Sequence, residues 1–233
     1  MRRFFFVCSS LTAVCLLSLA PRLNAGDINS FLRVGPGSTG YVNHSGSGNV
    51  NSTVYAEAVH GGQVVVDSQN QAWGGGAVMN RQSAKSIGGS VQMRSNLNSQ
   101  GGVINNDQIA ASCFGHIQTN TAGNAIGPGA VLNMRTTDIV DRGSIHTNVI
   151  GNTYAAPGSQ AFNNIETVTD VVGGVGVNQV QSDVYAHQGF ARGDVGSILP
   201  VGPYYPVPMV NRVNSSVESF GGYAHGRTYY INR

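Results

Sequence analysis

The chain has 233 residues, including 32 Gly, and only 10% of its residues are charged. Its 13 basic residues against 11 acidic ones produce no strong field for a phosphate backbone, so we expect no nucleic-acid partner. After Gly26, the helix-forming residues never keep a 3.6-residue apolar period for three turns, whereas Val, Ile, Thr and Tyr alternate with polar residues. The pattern therefore argues against helices and indicates an all-β chain.

The first residues have the layout of an export signal. Arg2 and Arg3 precede an apolar run that contains Ser and Thr and ends at a small residue, Ala25. This run is too short for a membrane-spanning helix of about 20 residues. We therefore predict a signal peptide over residues 1–25, cleaved after Ala25, and a secreted protein associated with the cell surface or outer membrane. Lipid attachment at Cys15 is the alternative reading.

Cleavage would change both the charge and the cysteine content. Three of the 13 basic residues lie before Ala25, which leaves 10 against 11 acidic ones. Cys8 and Cys15 would also be removed, so Cys113 would have no partner for an internal disulfide. No ordered set of His and Asp accompanies Cys113, and we interpret it as a small buried hydrophobe rather than a reactive thiol.

Residues 26–48 are rich in Gly and Ser, and this composition predicts a flexible lead-in. Residues 35–40 read GPGSTG and formally match the dinucleotide-binding pattern G-x-G-x-x-G. Pro36 interrupts that pattern, and no strand–helix–strand unit surrounds it, so we interpret the segment as a turn-rich linker.

Residues 49–190 contain the strongest signal, a recurring pair of strands, and a looser last copy follows near the C-terminus. The first strands of the pairs begin at about residues 49, 90, 130, 163 and 212, which gives a loose period of roughly 33 to 50 residues. The second strands are Gln63–Trp73, Val103–Ala111, Ser144–Ala155, Val177–His187 and Tyr223–Ile231. A Gly-containing turn joins the members of each pair. The sequence therefore predicts about four to five strand-turn-strand repeats.

Alternation within one strand indicates how the repeats stack. From Val50 to Ala58, small residues occupy every second position, and the polar or aromatic residues Asn51, Thr53, Tyr55 and Glu57 lie between them. One pair of strands cannot bury the small row, but successive stacked pairs can. Gly at the corners permits positive φ, and Asn and Gln at equivalent heights can form side-chain ladders. We therefore predict a β-solenoid or a related repetitive β-strand array.

Two internal matches support the repeats. Residues 137–140 read TDIV and residues 169–172 read TDVV, and the segment Gly123–Gly129 matches Gly151–Gly158. With the Asn- and Gln-rich stretches 105–109 and 178–184, these residues resemble curli-type fibre proteins and the holdfast-anchor proteins of stalked bacteria. The resemblance implies export through a dedicated outer-membrane channel and a role in surface attachment. Both the period and the consensus differ from the short curlin repeat.

The C-terminal part is set apart by proline. Four prolines, Pro200, Pro203, Pro206 and Pro208, are interleaved with tyrosines, and proline cannot donate to a sheet. Residues 191–209 are therefore predicted to be a Pro-rich connector, and residues 210–233 a C-terminal β-hairpin or capping repeat.

No residues are predicted to form a catalytic, cofactor-binding or metal site. The RGD tripeptide at 192–194 is attributed to chance. The six histidines stand singly, without the spacing that zinc requires, and are interpreted as solvated turn residues. Asp138 with Asp141, and Asp67 with Glu57, could meet across strands but indicate no cleft, and we interpret them as a polar rim.

These observations lead to three hypotheses for function. The favoured one is a non-enzymatic structural or adhesive surface protein, a fibre or anchor component for attachment or biofilm. Its expected partners are further copies or other fibre subunits, an outer-membrane export channel and a surface polysaccharide, with no cofactor. The alternatives are an outer-membrane β-barrel and a carbohydrate-active β-helix protein.

Overall fold

The fold comes from a computed structural model, which describes residues 15–19, 24–199 and 208–232. All regular structure in these ranges is β-strand, as predicted, and they contain no helix that could cross a membrane. There are fifteen strands: β1 (Cys15–Leu19), β2 (Asn24–Val34), β3 (Thr39–Ala58), β4 (Gln63–Ala72), β5 (Ala77–Ile87), β6 (Ser90–Gln100), β7 (Val103–Cys113), β8 (His116–Ile126), β9 (Ala130–Asp141), β10 (Ser144–Ala155), β11 (Gln160–Val172), β12 (Val175–His187), β13 (Phe190–Leu199), β14 (Met209–Phe220) and β15 (Tyr223–Asn232).

The strands wind into a β-solenoid, which confirms the predicted architecture. Every pairing is parallel, and strands that pair are separated along the chain by a strand of the opposite side. We call one side the even sheet: β1, the first half of β3 (39–47), then β4, β6, β8, β10, β12 and β14. The odd sheet contains β2, the second half of β3 (50–58), then β5, β7, β9, β11, β13 and β15. About six turns result, close to the four to five repeats predicted.

The predicted period of 33 to 50 residues is too long. Equivalent positions on successive turns are 26 residues apart at Asn98 and Asn124, and 33 apart at Asn178 and Asn211. The error arose because β5, β8 and β13 were not recognised as strands. The first strands of the predicted pairs therefore lie in both sheets instead of forming one column.

Three predicted domain boundaries also differ from the structure. The lead-in at residues 26–48 is not a linker, because it forms most of β2 and the first half of β3. The connector at residues 191–209 begins within β13, which extends to Leu199; residues 200–207 lie outside the described residues. Of the two alternatives for residues 210–233, the structure shows a final repeat and not a hairpin, since β14 pairs with β12 and β15 with β13.

The core lies between the two sheets and follows the predicted alternation. In the second half of β3, Val50, Ser52, Val54, Ala56 and Ala58 are all buried, and the residues between them face outward. The repeats also predict that Val168, Val171, Val180 and Val184 occupy the shared core or its flanking ladder. Of these, Val171, Val180 and Val184 are buried, but Val168 faces outward and is only half-buried. Small inward residues let the sheets approach closely, as stacked strands require.

The corners between the sheets depend on glycine in two ways. A residue with positive φ comes first, for example Phe114 (φ 58°) or Gly88 (φ 69°), and it turns the chain. The next residue is Gly because the corner of the previous turn lies directly against it. A Cβ on Gly115 would lie 1.9 Å from the Gly89 carbonyl oxygen, and one on Gly143 would lie 1.8 Å from that of Gly115. The turns therefore stack backbone on backbone at this corner.

Candidate assembly surfaces

The interior carries a polar ladder as well as apolar residues. Gln82 Nε2 donates to Ser68 Oγ at 2.6 Å, and Gln108 Nε2 donates to Gln82 Oε1 at 2.7 Å. A second ladder joins Asn80 Nδ2 to Asn106 Oδ1 at 2.8 Å. All these side chains are buried between the sheets. These side chains form hydrogen bonds with one another, within a turn or between neighbouring turns, so the ladders favour a single register of the strands. Because they are buried, a ligand cannot reach them.

Asp138 lies in this interior and not on the predicted rim. It is fully buried, and the hydroxyls of Thr119 and Thr147 on the opposite sheet donate to its two carboxylate oxygens. Burial raises the pKa of Asp138 to about 7, although both hydroxyls act to lower it. The carboxyl group is sealed from solvent, and a substrate cannot reach it.

His44 is also buried, in contrast to the solvated role predicted for the histidines. Its Nδ1 lies 2.8 Å from Ser52 Oγ, and its Nε2 lies 2.6 Å from Ser30 Oγ. Burial lowers the pKa of His44 to about 4, so the ring is neutral near pH 7. The other five histidines are at least partly exposed, as expected, but only His60 lies in a turn, and the other four belong to strands: His116, His146, His187 and His225.

The remaining sequence motifs lie apart from one another. GPGSTG forms the turn between β2 and β3 with no helix after it. The RGD tripeptide is part of strand β13, where Arg192 Nη2 pairs with Asp194 Oδ2 at 2.7 Å. Cys113 is half-buried at the end of β7, so it is less buried than predicted.

The predicted acid pairs do not meet. Asp138 faces inward and Asp141 outward on β9, while Asp67 and Glu57 belong to different sheets. Within the described ranges, no group of three His, Cys, Asp or Glu side chains could hold a metal ion.

The C-terminal end of the solenoid, as far as the structure describes it, exposes unpaired strand edges. β14 pairs only with β12, and β15 only with β13, so each has one free edge within the described residues. The inward-facing Val213 and Val217 of β14 are half-buried, whereas their partners Val180 and Val184 on β12 are each 2% exposed. A further turn placed on this end would bury Val213 and Val217 as the others are buried.

The outer face of the even sheet carries rows of amides. Asn124 Nδ2 donates to Asn98 Oδ1 at 3.0 Å, and Asn152 Nδ2 donates to Asn124 Oδ1 at 2.9 Å. Next to this row, the rings of Tyr154 and Tyr185 stack with centroids 5.1 Å apart. These ladders follow the solenoid axis and confirm the predicted stacking of Asn and Gln at equivalent heights.

The outer face of the odd sheet is organised differently, with separate apolar, amide and charged rows. The register aligns Arg81, Asp107, Arg135 and Glu166 on four successive strands, β5, β7, β9 and β11. Beside this charged row, Asn133 Nδ2 donates to Asn105 Oδ1 at 2.9 Å. A shallow open trough runs between the two rows. Sequence reasoning missed this face because β5 was not recognised, so the charges could not be aligned.

Comparison with known proteins does not add to this picture. No family model, no curated protein and no solved structure matches the chain.

Proposed function

We propose that this chain is an exported structural or adhesive surface protein that acts as a fibre or anchor component in surface attachment or biofilm. The observation that carries the proposal is the C-terminal end of a parallel solenoid, where, among the described residues, no further turn lies against two strand edges and the inward Val213 and Val217. Such edges are templates for pairing with another chain. The proposed partners are further copies or other fibre subunits, an outer-membrane export channel and a surface polysaccharide.

Export would open the other end as well. β1 pairs with Gly40–His44 of β3 and lies wholly within the predicted signal peptide. Cleavage after Ala25 would remove β1 and leave this edge of the even sheet unpaired. The mature chain would then have a free edge of the even sheet at both ends of the solenoid, so copies could join head to tail.

The free backbone groups of the last turn can be identified. Gly176 N donates to Pro208 O, and Gln188 N donates to Phe220 O. Since N–H groups alternate sides along a strand, β14 directs the N–H groups of its even-numbered residues toward β12 and that of Ser215 toward the free edge. Tyr223 N donates to Gly189 O, so by the same alternation Thr228 of β15 also directs its N–H group outward.

The test blocks these edges and leaves the fold in place. Proline is tolerated on an edge strand where its missing N–H faces solvent, and there it prevents pairing with a further strand. We expect Ser215→Pro combined with Thr228→Pro, the edge variant, to stay folded but to lose filament growth in electron microscopy of the purified protein.

The matched control is Ser215→Ala combined with Thr228→Ala, which keeps both N–H groups and should assemble like the wild type. Filaments of the edge variant that equal those of the wild type would contradict assembly through these edges. A wild-type protein that remains monomeric at high concentration would contradict the fibre role itself.

A further inference from the structure

The charged row on the outer face of the odd sheet alternates in sign. Arg81, Asp107, Arg135 and Glu166 follow one another at the strand spacing of about 4.8 Å. Arg81 and Arg135 are exposed, and the two acids are half-buried. Read in the opposite direction, the row has the complementary signs. A surface with this property fits a second copy of itself that runs the other way.

We propose that two copies associate face to face through their odd sheets, with antiparallel solenoid axes. The two-fold axis runs parallel to the strands and passes between β7 and β9. It sets β7 against β9 and β5 against β11 of the second copy. Arg81 then faces Glu166 of the second copy, and Asp107 faces Arg135. Because the interface is isologous, each of these contacts occurs twice.

The same axis matches charges outside this row. On the row that contains Ala111 and Ile139, it sets Lys85 against Asp170 of the second copy. At the two ends of the odd sheet, it sets Asp27 of β2 against Arg227 of β15. Opposite charges therefore meet at four separate positions. Two of them lie in the central row, which was used to choose the axis, and the other two were not used to choose it.

Across the same axis, apolar residues also face apolar residues, and amide residues face amide residues. The axis sets Val103 against Val131, and Asn105 against Asn133. At the edge, it sets Phe31 against Ile231. Phe31 is 65% exposed in the single chain, and contact with another apolar side chain would remove part of that surface from water.

The size of the face is sufficient for a specific dimer. Eight strands at ~4.8 Å and about seven residues at ~3.3 Å give roughly 900 Å² from each copy. This is close to the ~800 Å² per partner of a standard protein–protein interface.

The even sheet provides a contrast. Its charged row contains Asp67 and Arg94 on neighbouring strands, followed by Asn120, Asn148 and Gln179, with Arg212 on β14. An axis that pairs Asp67 with Arg94 lies between β4 and β6. It sets β10 against β1, which cleavage of the signal peptide would remove, and leaves β12 and β14 without strands of the second copy against them. A central axis on the even sheet, between β8 and β10, sets only one pair of opposite charges together, Asp67 with Arg212, whereas the axis on the odd sheet matches four such pairs.

The face contact differs from pairing through the strand edges and does not rest on the fibre role. It can therefore be tested in the edge variant, whose substitutions lie outside the charged row. Sedimentation equilibrium of the edge variant should show a dimer that weakens as salt is raised, since salt screens ion pairs. Edge pairing is scored by microscopy and face pairing by mass, so each can fail independently.

Charge reversal then tests the register. Asp107→Arg sets the new arginine against Arg135 of the second copy twice, and Arg135→Glu sets the new glutamate against Asp107 twice. We expect either variant alone to dimerise at least tenfold more weakly than the edge variant. An equal mixture of the two should recover the dimer, because the introduced arginine of one copy then faces the introduced glutamate of the other. The unchanged Arg135 of the first copy likewise faces the unchanged Asp107 of the second.

Recovery in the mixture cannot be explained by a folding defect, since neither chain repairs the other's fold. Arg94→Glu on the even sheet is the matched control and should dimerise normally. A monomeric edge variant would overturn the proposal. So would single reversals that dimerise normally, or a mixture that remains as weak as its components.

Discussion

At the scale of single residues, Asp138 couples the stability of the solenoid to pH. The pKa of its carboxyl group is about 7 in the folded chain and 3.8 in the reference state. Below pH 3.8 the carboxyl group is protonated in both the folded and the unfolded chain. Its suppressed ionisation in the folded chain therefore does not lower the free energy of unfolding. As the pH rises from 3.8 to 7, only the unfolded chain gains from ionisation, so folding is progressively disfavoured. The loss is complete above pH 7 and amounts to roughly 4 kcal/mol.

We expect Asp138→Asn to be more stable than the wild type at pH 8 by a few kcal/mol and equally stable near pH 4. The amide has the size of the protonated acid and cannot ionise. The measurement is the free energy of unfolding in urea across this pH range. Equal stability of the two proteins at pH 8 would show that Asp138 ionises freely in the folded chain.

His44 makes the comparison with a variant necessary. Its pKa is lowered from 6.5 to about 4 in the folded chain, so the unfolded chain takes up the proton first as the pH falls. As the pH falls from 6.5 to 4, His44 therefore lowers the free energy of unfolding. Asp138 acts in the opposite direction, because a fall in pH restores the stability that its ionisation removes. The wild-type pH profile alone would mix the two effects, and the difference between the wild type and Asp138→Asn separates them.

The burial of Asp138 could not be read from the sequence because the register is offset by one residue. The matching segments TDIV and TDVV suggest that Asp138 and Asp170 are equivalent. In the sheet, Asp138 instead pairs with Thr169, and Asp170 pairs with Ile139. A shift of one residue exchanges the two faces of a strand. Asp138 therefore faces inward and Asp170 outward.

At the scale of elements, the glycine corners fix how closely the turns stack. Gly115 does not require positive φ, since Phe114 before it has φ 58°. What it requires is space, because a Cβ would lie 1.9 Å from Gly89 O and 2.3 Å from Ser112 Oγ. The backbone of two turns would have to separate to admit a methyl group.

Gly115→Ala is therefore expected to destabilise the protein by about 3 kcal/mol, at the upper end of the range for overpacking. Gly35→Ala is the matched control, since nothing lies within 4 Å of a Cβ there. It should change stability by about 0.5 kcal/mol or less. Urea midpoints of the two variants give the comparison, and similar midpoints would argue against backbone contact at the corner.

Strand alternation was predictable, and strand number was not. The inward row from Val50 to Ala58 follows from the two-residue period alone. β5 and β8 are rich in polar residues such as Asn80, Gln82 and Thr119, which are nevertheless buried. They point into the core because the stacked turns satisfy much of their hydrogen bonding. An apolar pattern cannot reveal such strands, so the period came out too long and the charged row of the odd sheet remained hidden.

At the scale of the whole molecule, the export signal remains a prediction. Replacing Leu16 and Leu17 with Arg should interrupt the apolar run and leave the precursor in the cytoplasm. Replacing both with Ile keeps the run apolar and serves as the control. Cell fractionation distinguishes the two outcomes. Arrival of the Arg variant at the cell surface would show that residues 1–25 are not the signal.

The direction of the hydrogen bonds has a mechanical consequence. In this solenoid the ladder bonds lie along the axis, because every strand crosses it and pairs only with the turns above and below. A force that pulls the two ends of one chain apart therefore loads the hydrogen bonds of one turn at a time. The turns then separate one after another, starting from the end that is pulled. A force applied sideways, through the face of the odd sheet, is shared by many turns at once. An attachment that grips the face will bear more load than one that grips only the ends.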